Sequence, residues 1–233
     1  MISFSNLLKK TLAAYFANFK AIMPLLAVFV IWQIIINLFS ADIKTAISIL
    51  PYVAAFSLIV AAFTQLLLCQ TFGDIFNGKT LSASTAYKES LKRFPLFVIL
   101  LILLAVMVIG GLFLALVPGI IFATWFIFLA PVLMIENTNI SSTFKRSKYL
   151  VSGNFFQVLW QTALVSVLII FIVNMATQGL AAVAKLITPG VALPYVLTLS
   201  NIVGAFLGAF TSPIMVGFLV ALYFELRKLK KEI

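Results

Sequence analysis

Six carboxylates, one thiol and no imidazole make up the reactive inventory of this chain. The carboxylates are Asp42, Asp74, Glu89, Glu136, Glu225 and Glu232, and the thiol is Cys69. Paired carboxylates can move protons or carry ions, and a hydroxyl or thiol beside a histidine can act as a nucleophile. The absence of histidine removes the second class, along with histidine-held metals, haem and histidine proton relays. All six acids fall at or beyond the ends of long apolar runs. None sits near the middle of a membrane, where ion-coupled transport usually uses one. No Gly-rich phosphate loop, GxSxG elbow, HExxH or metal-spaced cluster is present. The expectation is a protein that is not an enzyme, with no catalytic, cofactor-binding or metal-binding residues.

Two acids stand close to basic residues at span ends, Glu136 and Glu225. For Glu136 the plain reading is a boundary ion pair that fixes helix ends; the sharper alternative is a catalytic or coupling group. Cys69 reads as a small apolar residue within a span. Seven amides lie within the apolar runs: Gln33, Asn37, Gln65, Gln161, Asn174, Gln178 and Asn201. Lipid offers them no partner, so each needs another helix or water. They serve either as interhelical hydrogen bonds or as the lining of a solute path. Ser200, Gly204, Gly208 and Ser212 recur every four residues and form a small-residue stripe for close helix packing, against an internal helix or a second copy. Trp32, Trp125 and Trp160 are interface anchors or core filling.

The elements that position these groups follow from composition. The hydrophobic fraction is 64%, the charged fraction 9% and the mean hydropathy +1.20. Soluble domains are about half apolar and about a quarter charged. The chain is therefore expected to be an all-α polytopic membrane protein, one integral membrane domain over 1–233. Its net charge of +10 is then a matter of cytoplasmic loops and anionic lipid headgroups. Nucleic acid is not an expected partner, because there is no basic folded domain to carry it.

Phe94 to Ile135 holds no charged residue and is interrupted by Val117-Pro118-Gly119. About 20 apolar residues make one span, so this stretch predicts two, folding back at Pro118-Gly119. The other spans are expected over 20–39, 46–69 (with Pro51 early in it), from Phe155, and over 191–226 with a kink at Pro213, six in all. Ile187-Thr188-Pro189-Gly190 turns the chain between the last two. The apolar run 21–39 is too long for the core of a cleaved signal. Short basic amphipathic helices are expected before spans 1, 3 and 5. In the first, over 2–19, Phe4, Leu8, Leu12 and Tyr15 share a face, with Lys9 and Lys10 turned away. In the second, over 81–93, Ala83, Tyr87 and Leu91 lie together. In the third, over 136–154, Ile140, Phe144, Ser147 and Val151 do so. Their apolar faces are expected in lipid, with lysines at the headgroups. Candidate headgroup contacts are Lys9, Lys88, Lys145, Arg146 and Lys148.

With six spans, fourteen of the 16 lysines and arginines fall on one side and only Lys44 and Lys185 on the other. The positive-inside rule then puts both termini in the cytoplasm. Three segments share a pattern: Ser5-x-x-Leu8-Lys9-x-Thr11, Ser84-x-x-Tyr87-Lys88-x-Ser90 and Ser141-x-x-Phe144-Lys145-x-Ser147. They suggest units 1–70, 79–136 and 138–233, though any basic lead-in to an inward-starting span yields a similar match.

The run from Val117 to Phe156 resembles the YciC-like family of bacterial inner-membrane proteins. It is also similar to the membrane domain that accompanies some glycerophosphoryl diester phosphodiesterases. The residues that carry the likeness are Pro118-Gly119, Ala130-Pro131-Val132, Glu136, Lys145-Arg146-Ser147 and Asn154-Phe155, with the later Leu199-Ser200-Asn201. The likeness covers the second half of the chain well and the first half only in architecture. It implies a six-span protein of the bacterial inner membrane. It does not bring phosphodiesterase activity, which resides in a separate domain built on histidines and acidic metal ligands. The functional expectation is a non-enzymatic inner-membrane protein that supports envelope or lipid organisation, or assembles with a membrane partner or a second copy. The alternative is a transporter or lipid-handling channel.

Overall fold

A computed structural model describes residues 3–39, 43–79, 82–187 and 193–230. Among them every regular element is helical. Five helical segments are long and apolar enough to cross a membrane: Leu50–Phe76, Ala83–Leu114, Leu116–Ile135, Phe155–Leu186 and Ile202–Leu229. A sixth is added if Phe19–Leu26 and Phe29–Ile36, bent by 44° from each other, count as one. The turn expected at Thr188-Pro189-Gly190, the side chains of Asn37 and Asn201, and Asp42 and Glu232 lie outside the described residues.

Helix α1 (Phe4–Ala17) leads to α2 (Phe19–Ile22), a 3-10 turn (Met23–Leu26) and α3 (Ala27–Phe39). Pro24 in the 3-10 turn lacks a donor, which favours the bend there. Helix α4 (Ile43–Phe76) passes through Pro51 and ends at Asn77-Gly78, where Gly78 takes the left-handed φ of 67° that closes the turn.

Helix α5 (Ala83–Leu114) corrects one expectation. The stretch 81–93 does not form a separate interfacial helix; Ala83 to Arg93 are the first turns of the span itself. At about 1.5 Å per residue, the 32 residues of α5 run about 48 Å, well beyond the ~30 Å hydrocarbon core. The uncharged part of α5, from Phe94 to Leu114, is by itself about long enough for that core, and the charged turns are in excess of it. Nothing breaks the helix at the boundary, since Pro95 is tolerated inside it.

The hairpin turns elsewhere than expected. Ala115, extended at φ −175° and ψ 162°, joins α5 to α6 (Leu116–Trp125). Pro118-Gly119 sits in the first turn of α6, where a missing N–H costs nothing because those amides have no helical partner. The two helices then touch through glycines: a Cβ on Gly111 would lie 2.9 Å from the Gly119 nitrogen.

Three residues, Phe126 to Phe128, separate α6 from α7 (Leu129–Ile135). Pro131 accounts for the break, because it cannot donate to the carbonyl four residues back and its ring crowds that group. Helix α7 is buried from Leu129 to Met134. Helix α8 (Ile140–Val151) follows, then α9 (Phe155–Ile187) and α10 (Leu193–Leu229), the last unbroken through Pro213.

The core gathers around the C-terminal half of α10. Phe218 to Phe224 are all buried, and all but Leu219 share one cluster with Leu66, Leu68, Cys69 and Phe72 of α4 and with α7. At Gly217 three helices meet: a Cβ there would come within 2.7 Å of Phe72 on α4 and 3.0 Å of Thr11 on α1. The apolar stripe of α1 is Leu7, Thr11 and Tyr15, buried against protein. Of the expected lipid-facing stripe of Phe4, Leu8, Leu12 and Tyr15, Tyr15 is buried and Phe4 and Leu8 pack partly against the same core, so protein covers them because α10 offers α1 a partner. Likewise α8 turns Thr143, Ser147, Leu150 and Val151 into the protein.

Candidate functional site

The charged side chains of α1, α7, α8 and α10 converge at one end of the helices. Glu136 closes the C-terminus of α7. Both its oxygens accept from Arg146 Nε on α8, at 2.9 and 3.0 Å. Oε1 also accepts from the Tyr223 hydroxyl on α10 at 2.6 Å. Arg227 Nε lies 3.8 Å from the same oxygen, near enough for Coulomb attraction but beyond a hydrogen bond. The side chains of Glu136, Arg146 and Arg227 are 17%, 23% and 23% exposed. One carboxylate thus ties three helices under two guanidinium groups. Such an arrangement resists removal of one partner, because the remaining charges stay half-buried.

Helix α8 is fastened along its length. Asn139 and Ser142 form a reciprocal capping box at its start. Asn137, just before, takes φ 54°, a left-handed conformation that asparagine tolerates. The break before α7 frees the Trp125 carbonyl, since the Leu129 amide donates to Phe126 instead. Ser147 Oγ donates to that carbonyl at 2.8 Å, so a buried serine satisfies the group that Pro131 helped to free. Lys230, just past the end of α10, donates to the Ser152 carbonyl at 2.9 Å, at the C-terminus of α8, where a cation is favoured.

A second ion pair lies nearby and is more open. Lys10 of α1 reaches Glu225 at 3.1 Å, with side chains 39% and 30% exposed, and Lys228 approaches the same carboxylate at 3.4 Å. Lys10 therefore does not point away from the packed face, as the sequence reading expects. Its partner on α10 draws it inward.

The candidate headgroup residues separate into two groups. Lys9, Lys88, Lys145 and Lys148 are exposed. Lys148 holds its ammonium 4.4 Å over the Trp125 ring. Arg146 is turned inward and committed to Glu136. The small-residue stripe is also divided. Ser200 is buried, and a Cβ on Gly204 would meet Thr177 of α9 at 3.0 Å, whereas one on Gly208 would meet open space. Ser212 bonds within its own helix, to the Ala209 carbonyl at 3.2 Å. Of the in-span amides, Gln161 is buried, Gln33 and Gln65 are half-buried, and Asn174 and Gln178 are exposed. Asn174 donates to the Ile170 carbonyl of its own helix at 2.8 Å, which uses one of its two amide hydrogens.

Tyr223 and Arg227 were not singled out by sequence reasoning. The pattern Tyr223-x-Glu225-x-Arg227 at the end of an apolar run was the available signal, but nothing local links it to Glu136, 87 residues earlier. Comparison of the chain with models of protein families, with curated proteins and with solved structures finds no match. What the fold and the charged cluster support is an all-helical chain with several membrane-span-like helices, compatible with an integral multi-pass membrane protein.

Proposed function

We infer that this chain is a six-span protein of the bacterial cytoplasmic membrane, with both termini in the cytoplasm. It acts without catalysis by binding anionic lipid headgroups and so supports lipid or envelope organisation. One observation carries this reading. At the charged end three of the four described acids are spent internally, Glu136 on Arg146 and Arg227, Glu225 on Lys10 and Lys228, Asp74 on Lys79, and Glu89 is not. The exposed lysines Lys9, Lys88 and Lys145 are left without a carboxylate partner among the described residues. Uncompensated lysines beside apolar helices attract an anionic membrane surface, at about 1 kcal/mol each. The proposed topology takes the bent pair around Pro24 as the first span and agrees with the resemblance to YciC-like proteins.

The test is lipid retention. Protein purified in mild detergent is offered phosphatidylglycerol and phosphatidylcholine of matched chains, and bound lipid is counted by native mass spectrometry. Phosphatidylglycerol is expected to dominate, and Lys9→Gln, Lys88→Gln and Lys145→Gln combined are expected to abolish that preference. Equal retention of both lipids by the unaltered protein refutes the reading. Topology is checked with single cysteines in a Cys69→Ser background, and labelling of residue 9 from the periplasmic side would reverse it.

A further inference from the structure

Beside the Glu136 cluster, a cavity of about 130 Å³ opens where the end of α4, the start of α5 and the end of α7 come together. Its polar walls include Gln70, Asp74, Lys79, Glu89, Arg93 and Asn137. Its floor is closed by the approach of α4 to α7, where a Cβ on Gly73 would lie 2.9 Å from Ile135. That volume equals about four waters.

The lining carries two acids and two bases, so the cavity as a whole is neutral. The internal bonds use only part of it. Asp74 accepts from Gln70 at 3.1 Å and stands 3.9 Å from Lys79. Glu89 and Arg93 are one helical turn apart in the order that favours an intrahelical ion pair. They nevertheless form no ion pair with each other or with any described residue. Arg93 Nε is shielded from solvent and has no hydrogen-bond partner among the described residues. Arg93 is also the last charged residue before the uncharged run that begins at Phe94. If α5 spans the membrane, that places its guanidinium at the level of the lipid phosphates.

We propose that this cavity binds a phosphoethanolamine group, a phosphate joined to a primary ammonium, with Arg93 holding the phosphate and Glu89 the ammonium. A guanidinium matches phosphate through paired N–H donors. A carboxylate one turn away on the same helix, in a neutral cavity, matches a compact ammonium and disfavours a second anion. The group can arrive as the headgroup of phosphatidylethanolamine or as the free molecule. The proposal does not depend on the surface lysines.

The experiment offers the detergent-solubilised full chain equal amounts of phosphatidylethanolamine, phosphatidylglycerol and phosphatidylcholine with identical acyl chains, and reads retained lipid by native mass spectrometry. Phosphatidylethanolamine is expected to be held as a single tight equivalent. Arg93→Gln and Glu89→Gln are each expected to weaken it by about tenfold, the loss of one charge-assisted contact. Lys9→Gln, Lys88→Gln and Lys145→Gln combined should leave that equivalent in place even where phosphatidylglycerol is lost. Free phosphoethanolamine titrated into delipidated protein separates the sources. Binding of both forms, or of the free form alone, assigns the site to the group itself, and binding of the lipid alone assigns it to the membrane headgroup. Phosphatidylcholine held as well as phosphatidylethanolamine would overturn the proposal, because the bulkier trimethylated ammonium should not fit beside Glu89. Binding of neither form would do the same. The lipid competition on the unaltered protein decides the matter even if a variant fails to fold.

Discussion

Helices α1 and α8 are both short, both carry lysines on an outer face, and both lie against the same end of α10, yet they are held by different physics. Helix α1 is seated by shape. Leu7, Thr11 and Tyr15 enter a surface that Gly217 leaves open, and one half-exposed ion pair, Lys10 to Glu225, adds a tether. The Tyr15 hydroxyl is shielded, with no hydrogen-bond partner among the described residues, and burial pushes its pKa up. Helix α8 is seated by directed bonds: a two-oxygen Arg146–Glu136 contact, a serine on a freed carbonyl and a lysine at its C-terminus. Apolar seating is non-directional and fixes position through packing alone. Directed bonds fix register, because each fails once the helix shifts by a residue. The comparison therefore predicts that single polar substitutions will hurt α8 far more than α1.

The largest expected effect is at the centre of the α8 network. Glu136→Gln removes the only carboxylate facing Arg146 and Arg227 among the described residues. It should cost about 3 kcal/mol, the lower end for breaking a buried pair, since some water still reaches the group. Thermal unfolding in detergent should show it, along with faster protease cleavage between α7 and α8. A loss below about 1 kcal/mol would mean that the cluster is solvated and that α8 is not pinned there.

Gly217→Leu is the matching stroke against α1. The added atoms would meet Phe72 and Thr11 inside contact distance. A cost of about 2 kcal/mol is expected from overpacking. It should be accompanied by loss of a crosslink between cysteines placed on α1 and α10, while α8 stays in place. Retention of that crosslink would show that α1 has another seat.

Next comes Ser147→Ala, which strands the buried Trp125 carbonyl at a cost of about 1–2 kcal/mol. Ser147→Thr keeps the hydroxyl and is expected to recover part of the loss. An alanine variant as stable as the parent would remove this bond from the comparison. The smallest effect belongs to Lys10→Ala. Its ion pair is more than a third exposed on the lysine side, so less than about 1 kcal/mol is at stake. If Lys10→Ala proved as damaging as Glu136→Gln, the contrast between the two helices would collapse.

Sequence alone determined the class. An uncharged run from Phe94 to Ile135 cannot stay in water, and backbone groups in lipid must close into helices, so helical spans follow from composition. The break between α5 and α6 was also legible to within a few residues, although not its agent. Pro118 looked like the turn because proline ends helices; it proved to be in the first turn of the next one, where its missing N–H is harmless. The basic lead-in to the third span was legible as amphipathic, but not its continuity with α5, because no local signal separates a helix lying on a membrane from one rising out of it.

Tertiary structure decided the partners. Glu136 could be read as a boundary ion-pair residue from its neighbours in sequence. That it also meets Tyr223 and Arg227, and that Arg146 serves it instead of facing the membrane surface, depends on α7 and α10 lying side by side. The same holds for Lys10 and for the faces of α1 and α8, whose apolar stripes are covered by protein. Periodicity shows that a helix has a face to bury. Whether lipid or another helix covers that face is settled by contacts between residues far apart in the chain, and one sequence does not contain them.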